Sequence, residues 1–255
     1  EPMKMHILSG GRLRMRSGTY FADCPKEQTE EFPCVCVLLR HRNGNVLFDT
    51  GCHPSVETDA AARWGGVAKA IVPVHASGDN VLGGLKNVGL GPDDIDVVVN
   101  SHLHMDHCGC NGFFKKAQFM IHARELEVAR DSNIEGKGYY KADWDHSMPI
   151  EAVEGEKDIF DDNRIVLLPL PGHTQGTMGA LVELDKKGST LIAADALSVK
   201  STLETNYIPR NNWNNDQFQS SLDQIRKLQS DGTDVICGHD EAQWKELRKG
   251  AEFYD

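Results

Sequence analysis

Apolar positions in this chain gather in short runs bounded by turn residues. Runs of buried-strand length occur at Val35–Leu39, Val46–Phe48, Ile95–Val99, Phe119–Ile121, Ile165–Leu168, Ala180–Leu184, Thr190–Ala193 and Asp234–Cys237. Arg42-Asn43-Gly44-Asn45 and Lys186-Lys187-Gly188-Ser189 read as hairpin turns between neighbouring runs. Helical spacing marks Val56–Lys69, Asn80–Val88, Ala123–Arg130, Asn215–Gln229 and Glu241–Lys249. In the fourth of these, Phe218, Leu222, Ile225 and Leu228 share one face and Gly232 follows as a stop. Strands come in clusters with helices between the clusters, which predicts sheets stacked between helices and not a strictly alternating doubly wound sheet. Ser9–Phe32, Asp131–Asp158 and Val199–Asn214 show no regular period and are long for plain connections. They carry Tyr20, Phe21, Tyr139, Tyr140, Trp144, Tyr207 and Trp213. Disordered linkers are poor in aromatics, so these stretches read as ordered loops that cover a site.

Composition narrows the class. At 255 residues the chain holds one large domain or two small ones, and with 40% apolar residues it can bury a core without disulfides or a structural metal. A net charge of −11 makes it a poor partner for nucleic acid or an anionic membrane surface. No apolar run has membrane-span length, and the start Glu1-Pro2-Met3-Lys4-Met5-His6-Ile7-Leu8 has no signal-peptide core. Glu1-Pro2 reads as a cloning remnant or the scar of a lost start. The seven cysteines are odd in number and contain no Cys-x-x-Cys pair, which disfavours zinc ribbons and dithiol redox centres and suits a reducing cytoplasm. The 11 histidines are an excess that asks for a chemical reason.

That reason begins at Ser101-His102-Leu103-His104-Met105-Asp106-His107, directly after the apolar run Ile95–Val99. Residues two apart in extended chain point the same way, so His102 and His104 can reach one metal. A turn then sets Asp106 and His107 beside a second position, and the small run Cys108-Gly109-Cys110-Asn111-Gly112 lets the backbone pass close by. Three further apolar strands run into ligand-type residues: Ile165–Leu168 into Gly172-His173, Leu191–Ala194 into Asp195, and Val235–Cys237 into Gly238-His239. Strand ends converge on one rim of a sheet, so these side chains can meet in one cleft. Imidazole and carboxylate without thiolate suit zinc, with manganese, cobalt and iron as competitors. Cys108 and Cys110 read as packing under the loop, and Cys34 and Cys36 as core.

The pattern His102-x-His104-x-Asp106-His107, Gly172-His173, Asp195 and Gly238-His239 resembles the metallo-β-lactamase superfamily, and within it the N-acyl-homoserine lactonase family. The resemblance runs from Val46-Leu47-Phe48-Asp49-Thr50-Gly51 to Gly238-His239-Asp240. It implies an α+β fold, a four-layer αβ/βα sandwich forming a single domain over residues 1–255, with two metals at the sheet edge. Carried over position by position, His102, His104 and His173 bind one Zn2+, Asp106, His107 and His239 bind the second, and Asp195 bridges them. Asp49 supports a ligand histidine from behind.

The implied reaction is lactone hydrolysis, the chemistry of quorum quenching. Hydroxide formed from a water shared by the metals attacks the carbonyl, and Asp106 carries the proton to the leaving oxygen. The expected partner is a small neutral lactone or ester, with no nucleic acid and no membrane, and an oligomer is left open. One position departs from the family: lactonases carry a tyrosine three residues after the bridging aspartate, where this chain has Ser198. Ser198 is therefore a reduced candidate for the group that holds the substrate carbonyl, with Tyr139 or Tyr207 as replacements from a loop. Met105, Tyr139, Tyr140, Trp144, Tyr207 and Trp213 are the expected pocket residues. Competing readings are an aryl-ester or phosphotriester hydrolase, a di-iron redox protein of the same fold, and a non-catalytic metal-binding module.

Overall fold

Alternation along the central strands decides which layer each side chain joins. In the strand Thr29–His41, Val35, Val37 and Leu39 turn to one face and Cys36 and Leu38 to the other, and both faces are buried. A strand covered on both sides needs an unbroken apolar run, and Val35–Leu39 supplies one. A computed structural model describes residues 1–255 and shows two sheets. The first contains β1 (Lys4–Arg16), β2 (Thr29–His41), β3 (Gly44–Phe48), β4 (Val72–Pro73), β5 (Val97–Val99), β6 (Gln118–His122) and β7 (Ile150–Val153), in the order β4-β1-β2-β3-β5-β6-β7. The second contains β8 (Lys157–Asp158), β9 (Ile165–Pro169), β10 (Met178–Leu184), β11 (Gly188–Ala194) and β12 (Asp234–Cys237), in the order β12-β11-β10-β9-β8. The pairs β3–β5, β5–β6, β6–β7 and β11–β12 run parallel, and the other pairings are antiparallel.

The sheets face each other across Ile7, Val37, Leu39, Phe48 and Val99 on one side and Leu167, Ala180, Val182 and Ile192 on the other. Helices α1 (Val56–Trp64), α2 (Val81–Val88), α3 (Ala123–Arg130) and α4 (Lys141–Trp144) follow strands of the first sheet. Val81, Leu85 and Leu126 from α2 and α3 cover its outer face at Leu38, Leu47 and Val98. After α5 (Thr202–Thr205), α6 (Asn215–Ser230) lays Phe218, Leu222 and Ile225 against Leu191, Ala193, Val235 and Cys237 of the second sheet. The short helix α7 (Glu241–Glu246) follows β12. The result is the expected four-layer α+β sandwich.

Most predicted elements sit where the periodicity put them, and the departures have local causes. Half of the stretch Ser9–Phe32, read as loop, lies in strands, because β1 runs on to Arg16 and β2 begins at Thr29. A register shift between Ser9 and Arg12, at Gly10-Gly11, interrupts the alternation that Leu13 and Met15 resume. Strands β7 and β8 likewise lie inside the second stretch read as irregular. Helix α1 stops at Trp64 before Gly65-Gly66 and passes into a 3-10 turn, and α7 stops at Glu246.

Phe218 is fully packed between α6 and the second sheet. The Phe218→Ala variant is expected to lose about 3–5 kcal/mol of stability, read from urea unfolding, because it opens a cavity that the sheet cannot collapse to fill.

Candidate dinuclear metal centre

Strand ends deliver the site. Past β5, Asn100 and Asn111 exchange side-chain hydrogen bonds of 3.1 and 2.8 Å, which close the intervening loop into a ring. Inside it the His107 and Cys108 amides donate to the His104 carbonyl at 2.9 and 3.1 Å, a turn that sends His102 and His104 one way and Asp106 and His107 another. The fully buried carboxylate of Glu125, on α3, ties this loop to its neighbour. It accepts from the Leu103 amide at 2.9 Å, the Gly176 amide at 3.1 Å and the Tyr139 hydroxyl at 2.7 Å.

The remaining ligand-type side chains arrive on constrained backbone. Gly172, before His173, has φ +139°, and a Cβ there would lie 2.3 Å from the Phe218 backbone, so only glycine lets the loop pass against α6. Ala194 carries Asp195 from the end of β11 with φ +48°, a conformation that costs about 1–3 kcal/mol in a residue with a Cβ. Gly238, before His239, approaches this point so closely that a Cβ would stand 2.7 Å from the Ala194 backbone. Three chain segments are thus pressed together around one carboxylate.

Two groups of ligand atoms result, His102, His104 and His173 in one and Asp106, His107, Asp195 and His239 in the other, each within 4.8 Å. The Asp195 carboxylate divides itself between them. Its Oδ2 lies 3.1 Å from His173 Nε2 and 3.7 Å from His102 Nε2, while its Oδ1 lies 3.2 Å from His107 Nε2 and 3.0 Å from His239 Nε2. Asp106 Oδ2 stands 3.3 and 3.4 Å from the same two rings. Donor atoms arranged around one ion with bonds near 2.0–2.1 Å are about 3.3 Å apart along a tetrahedral edge. The spacings observed match that edge, and several are long for charge-assisted hydrogen bonds. His102 Nε2, His107 Nε2 and Asp195 Oδ1 are buried with no hydrogen-bond partner. His104 Nδ1 faces His173 Nε2 at 3.2 Å, which places two ring nitrogens together with little between them. A pair of cations satisfies all of these groups, so the residues fit a dinuclear metal site.

The outward nitrogens of the rings are held from behind. His107 Nδ1 donates to Asp49 Oδ2 at 2.8 Å and His239 Nδ1 donates to the Pro33 carbonyl at 2.8 Å. Ser101 donates to Asp49 from its amide to Oδ1 and from its hydroxyl to Oδ2, both at 2.7 Å, and the same hydroxyl lies 2.9 Å from His102 Nδ1. Asp49 therefore orients two rings, one directly and one through Ser101. Such a carboxylate fixes the tautomer that leaves the inward nitrogen free.

Electrostatics divides the site. Burial keeps His102 well below the ordinary imidazole range, and burial together with His173 pushes His104 down to about 3. At His107 and His239 burial acts in the same sense, but the carboxylates beside them prevail and raise both well above it. Burial works to raise Asp106, yet His107 and His239 bring it down to about 2. The carboxylate half of the site thus favours positive charge on its two rings, and the three-histidine half disfavours it.

The cavity over the site has a volume of about 250 Å³. Leu13, Met15, Val67, Ile71 and Met105 give it an apolar side, and Tyr20, Asn211, Lys137, His104, Asp106, His173 and Asp195 a polar one. Of the expected pocket residues Met105 lines it and five others stand elsewhere. Tyr139 packs its ring against His104 at 4.8 Å but turns its hydroxyl to Glu125, Tyr140 donates to the Trp64 carbonyl at 2.6 Å, and Trp144 belongs to the core outside the first sheet. Tyr207 donates to the Gly18 carbonyl at 2.6 Å, and Trp213 is 46% exposed. Ser198, the reduced candidate for holding the substrate carbonyl, is buried beside Tyr20 and is not among the residues that line the cavity. Sequence reasoning did not place Leu13, Met15, Val67, Ile71, Lys137, Gly138 or Asn211 at the cavity, and had Tyr20 only as one ring of the loops that cover a site. The alternation of Leu13 and Met15 with Arg12, Arg14 and Arg16 was the available signal for two of them.

The sequence profile of the metallo-beta-lactamase superfamily matches residues 29–239, and the chain belongs to that superfamily. It is 28% identical to the N-acyl homoserine lactonase AttM of Azorhizobium caulinodans, with 99% of each chain covered. It is 27% identical to the N-acyl homoserine lactonase AiiA of Bacillus thuringiensis subsp. kurstaki, with 98% of each covered. A solved N-acyl homoserine lactone hydrolase, with N-hexanoyl-L-homoserine bound at its catalytic metal centre, superposes with a TM-score of 0.88 at 25% identity over 99% of both chains.

Because the carboxylates beside them raise His107 and His239 well above the ordinary imidazole range, loading with a divalent cation is expected to release about two protons per chain near pH 7. Calorimetry in two buffers of different ionisation enthalpy measures that number, and a value near zero would contradict the charge assignment.

Proposed function

We propose that this chain is a dinuclear-metal hydrolase that opens the ring of N-acyl-homoserine lactones or closely related lactones. The observation that carries the reading is the Asp195 carboxylate, shared between two ligand groups, in a chain similar over its whole length to N-acyl homoserine lactonases. His102, His104 and His173 would hold one ion, Asp106, His107 and His239 the other, and Asp195 both. Zinc is the proposed metal, since imidazole and carboxylate without thiolate suit it, with manganese, cobalt and iron as competitors. Bound there, the pair supplies Lewis acidity toward a carbonyl oxygen and brings the ionisation of a water to near neutral pH.

The chain's own residues do the rest. Asp49 and Ser101 fix the rings of His107 and His102, and the Pro33 carbonyl fixes His239. Leu13, Met15, Val67, Ile71 and Met105 shed water from one side of the cavity and accept an apolar acyl arm. Asp106, with 13% of its side chain exposed, borders the cavity and carries a proton to the oxygen that leaves as the ring opens. No side-chain nucleophile is needed, so no covalent intermediate forms. Residues 1–255 act as one domain, and a signalling lactone, cleaved to its hydroxy acid, is the expected substrate. All seven cysteines are free, which suits a reducing compartment such as the cytoplasm. No helix is long and apolar enough to cross a membrane.

Acyl-homoserine lactones, aryl and alkyl lactones, aryl esters, phosphotriesters and thiolesters form the test panel for the zinc-loaded protein. Acyl-homoserine lactones should turn over best, and preference for a phosphotriester or an aryl ester would replace the reading. His104→Ala and Asp106→Asn should each abolish turnover while circular dichroism stays unchanged. The Asp49→Asn variant should bind metal about 10–100-fold more weakly, measured by competition with a chromophoric chelator.

A further inference from the structure

Tyr20 holds a hydroxyl that packing does not explain. Its ring stacks on His239 at 6.4 Å and meets Phe32 edge-on at 5.2 Å, and both contacts would be served by phenylalanine. The residue is only 2% exposed, so its hydroxyl has left water and must find partners within the protein. It accepts a long hydrogen bond from Asn211 Nδ2 at 3.4 Å, and the Ser198 hydroxyl is its other hydrogen-bonding neighbour. Tyr139, Tyr140 and Tyr207 each donate to a carboxylate or carbonyl at 2.6–2.7 Å, whereas the Tyr20 proton has no such acceptor. Burial, reinforced by the Asp195 carboxylate, pushes the phenol above its ordinary range and keeps it a neutral donor. It borders the 250 Å³ cavity together with His104, Asp106, His173 and Asp195.

The backbone around it is braced. The Tyr20 and Phe21 amides donate to the Ser17 carbonyl at 3.2 and 3.0 Å, which forms a tight turn after β1. Tyr207 then clamps Gly18 through its hydroxyl, and the Arg210 amide donates to the Thr19 carbonyl at 3.1 Å. Two distant segments are thereby locked together so that Asn211 meets the phenol. Tyr207 reaches the site through this brace and not through the cavity wall.

We propose that Tyr20 is a catalytic residue whose phenolic O–H donates a hydrogen bond to the ring carbonyl oxygen of the bound lactone, with Asn211 and Ser198 as positioning residues for the phenol. The role rests on the lactonase reading above. As the carbonyl carbon becomes tetrahedral, negative charge builds on that oxygen and the hydrogen bond strengthens, which lowers the barrier more than it tightens ground-state binding. No proton is transferred from Tyr20, and the proton for the leaving oxygen remains the task of Asp106.

The test compares zinc-loaded wild type, Tyr20→Phe and Asn211→Ala on N-hexanoyl-homoserine lactone. Metal content and melting temperature are measured on the same samples. In Tyr20→Phe, kcat should fall about 10²-fold with KM and metal content unchanged. Asn211 is exposed, and its alanine variant should lose about tenfold in kcat, since the phenol is retained but less well held. A second readout is the infrared stretch of the ring carbonyl, isotopically labelled, in bound N-hexanoyl-homoserine lactam. It should lie at higher frequency in Tyr20→Phe than in wild type, because a hydrogen bond to the oxygen has been removed. A Tyr20→Phe variant within about threefold of wild type in kcat overturns the proposal, as does a loss that tracks metal content. If Tyr20→Phe does not fold, unchanged kcat and carbonyl stretch in Asn211→Ala overturn it instead. Wild type active on lactones with a silent Tyr20→Phe removes this role alone, whereas wild type inert on lactones removes the function and this role with it.

Discussion

Two carboxylates, Asp106 and Asp195, are packed among histidine rings in this fold, and their ion-pair partners are histidines alone. No lysine or arginine comes within ion-pair distance of them, although Lys137 borders the same cavity. Charge buried without compensation is costly, by several kcal/mol per ion even after relaxation, so the arrangement persists only if something positive resides there. Protons on His107 and His239 serve when nothing else is available, and a pair of divalent cations serves better, because it also satisfies the ring nitrogens that have no partner. The strained Ala194, the glycines before His173 and His239, and the buried Glu125 hub all hold these groups together against their mutual cost.

The sandwich makes that concentration of charge affordable. Each ligand side chain is set at the end of a strand whose body lies in an apolar layer, so the site needs no local hydrophobic core of its own. Both sheets contribute: β5 leads to His102 through His107, while β9, β11 and β12 lead to His173, Asp195 and His239. The Met178 amide, at the start of β10, donates to the Ser101 carbonyl at 2.8 Å and fastens one sheet rim to the other at the level of the site. A shift of one sheet against the other would therefore separate His102 from Asp195.

The candidate ligands were legible in the sequence because each follows an apolar run and is of a type that metals select. His-x-His-x-Asp-His after Val97–Val99 combines a periodicity signal with a chemical one, and Gly172-His173 and Gly238-His239 add glycines that the packing proves to require. The pocket was much less legible. Tyr139, Tyr140 and Trp144 are aromatic and lie in loops, yet their polar ends are consumed by Glu125, by the Trp64 carbonyl and by the core. Composition reveals that a loop is ordered but not which way its rings face. Tyr20 was hidden for the opposite reason: the glycine pair in β1 breaks the alternation, so the strand that carries the chain to Tyr20 read as loop. Its partner Asn211 lies nearly 200 positions away, a separation of 191 that local pattern cannot bridge.

The central claim is that two cations share Asp195. An anomalous-difference map from crystals of the zinc-loaded protein, recorded at the zinc edge, tests it most directly. The account predicts two peaks flanking the Asp195 carboxylate, one among His102, His104 and His173 and the other among Asp106, His107 and His239. A single peak at full zinc loading, or peaks away from Asp195, would contradict it.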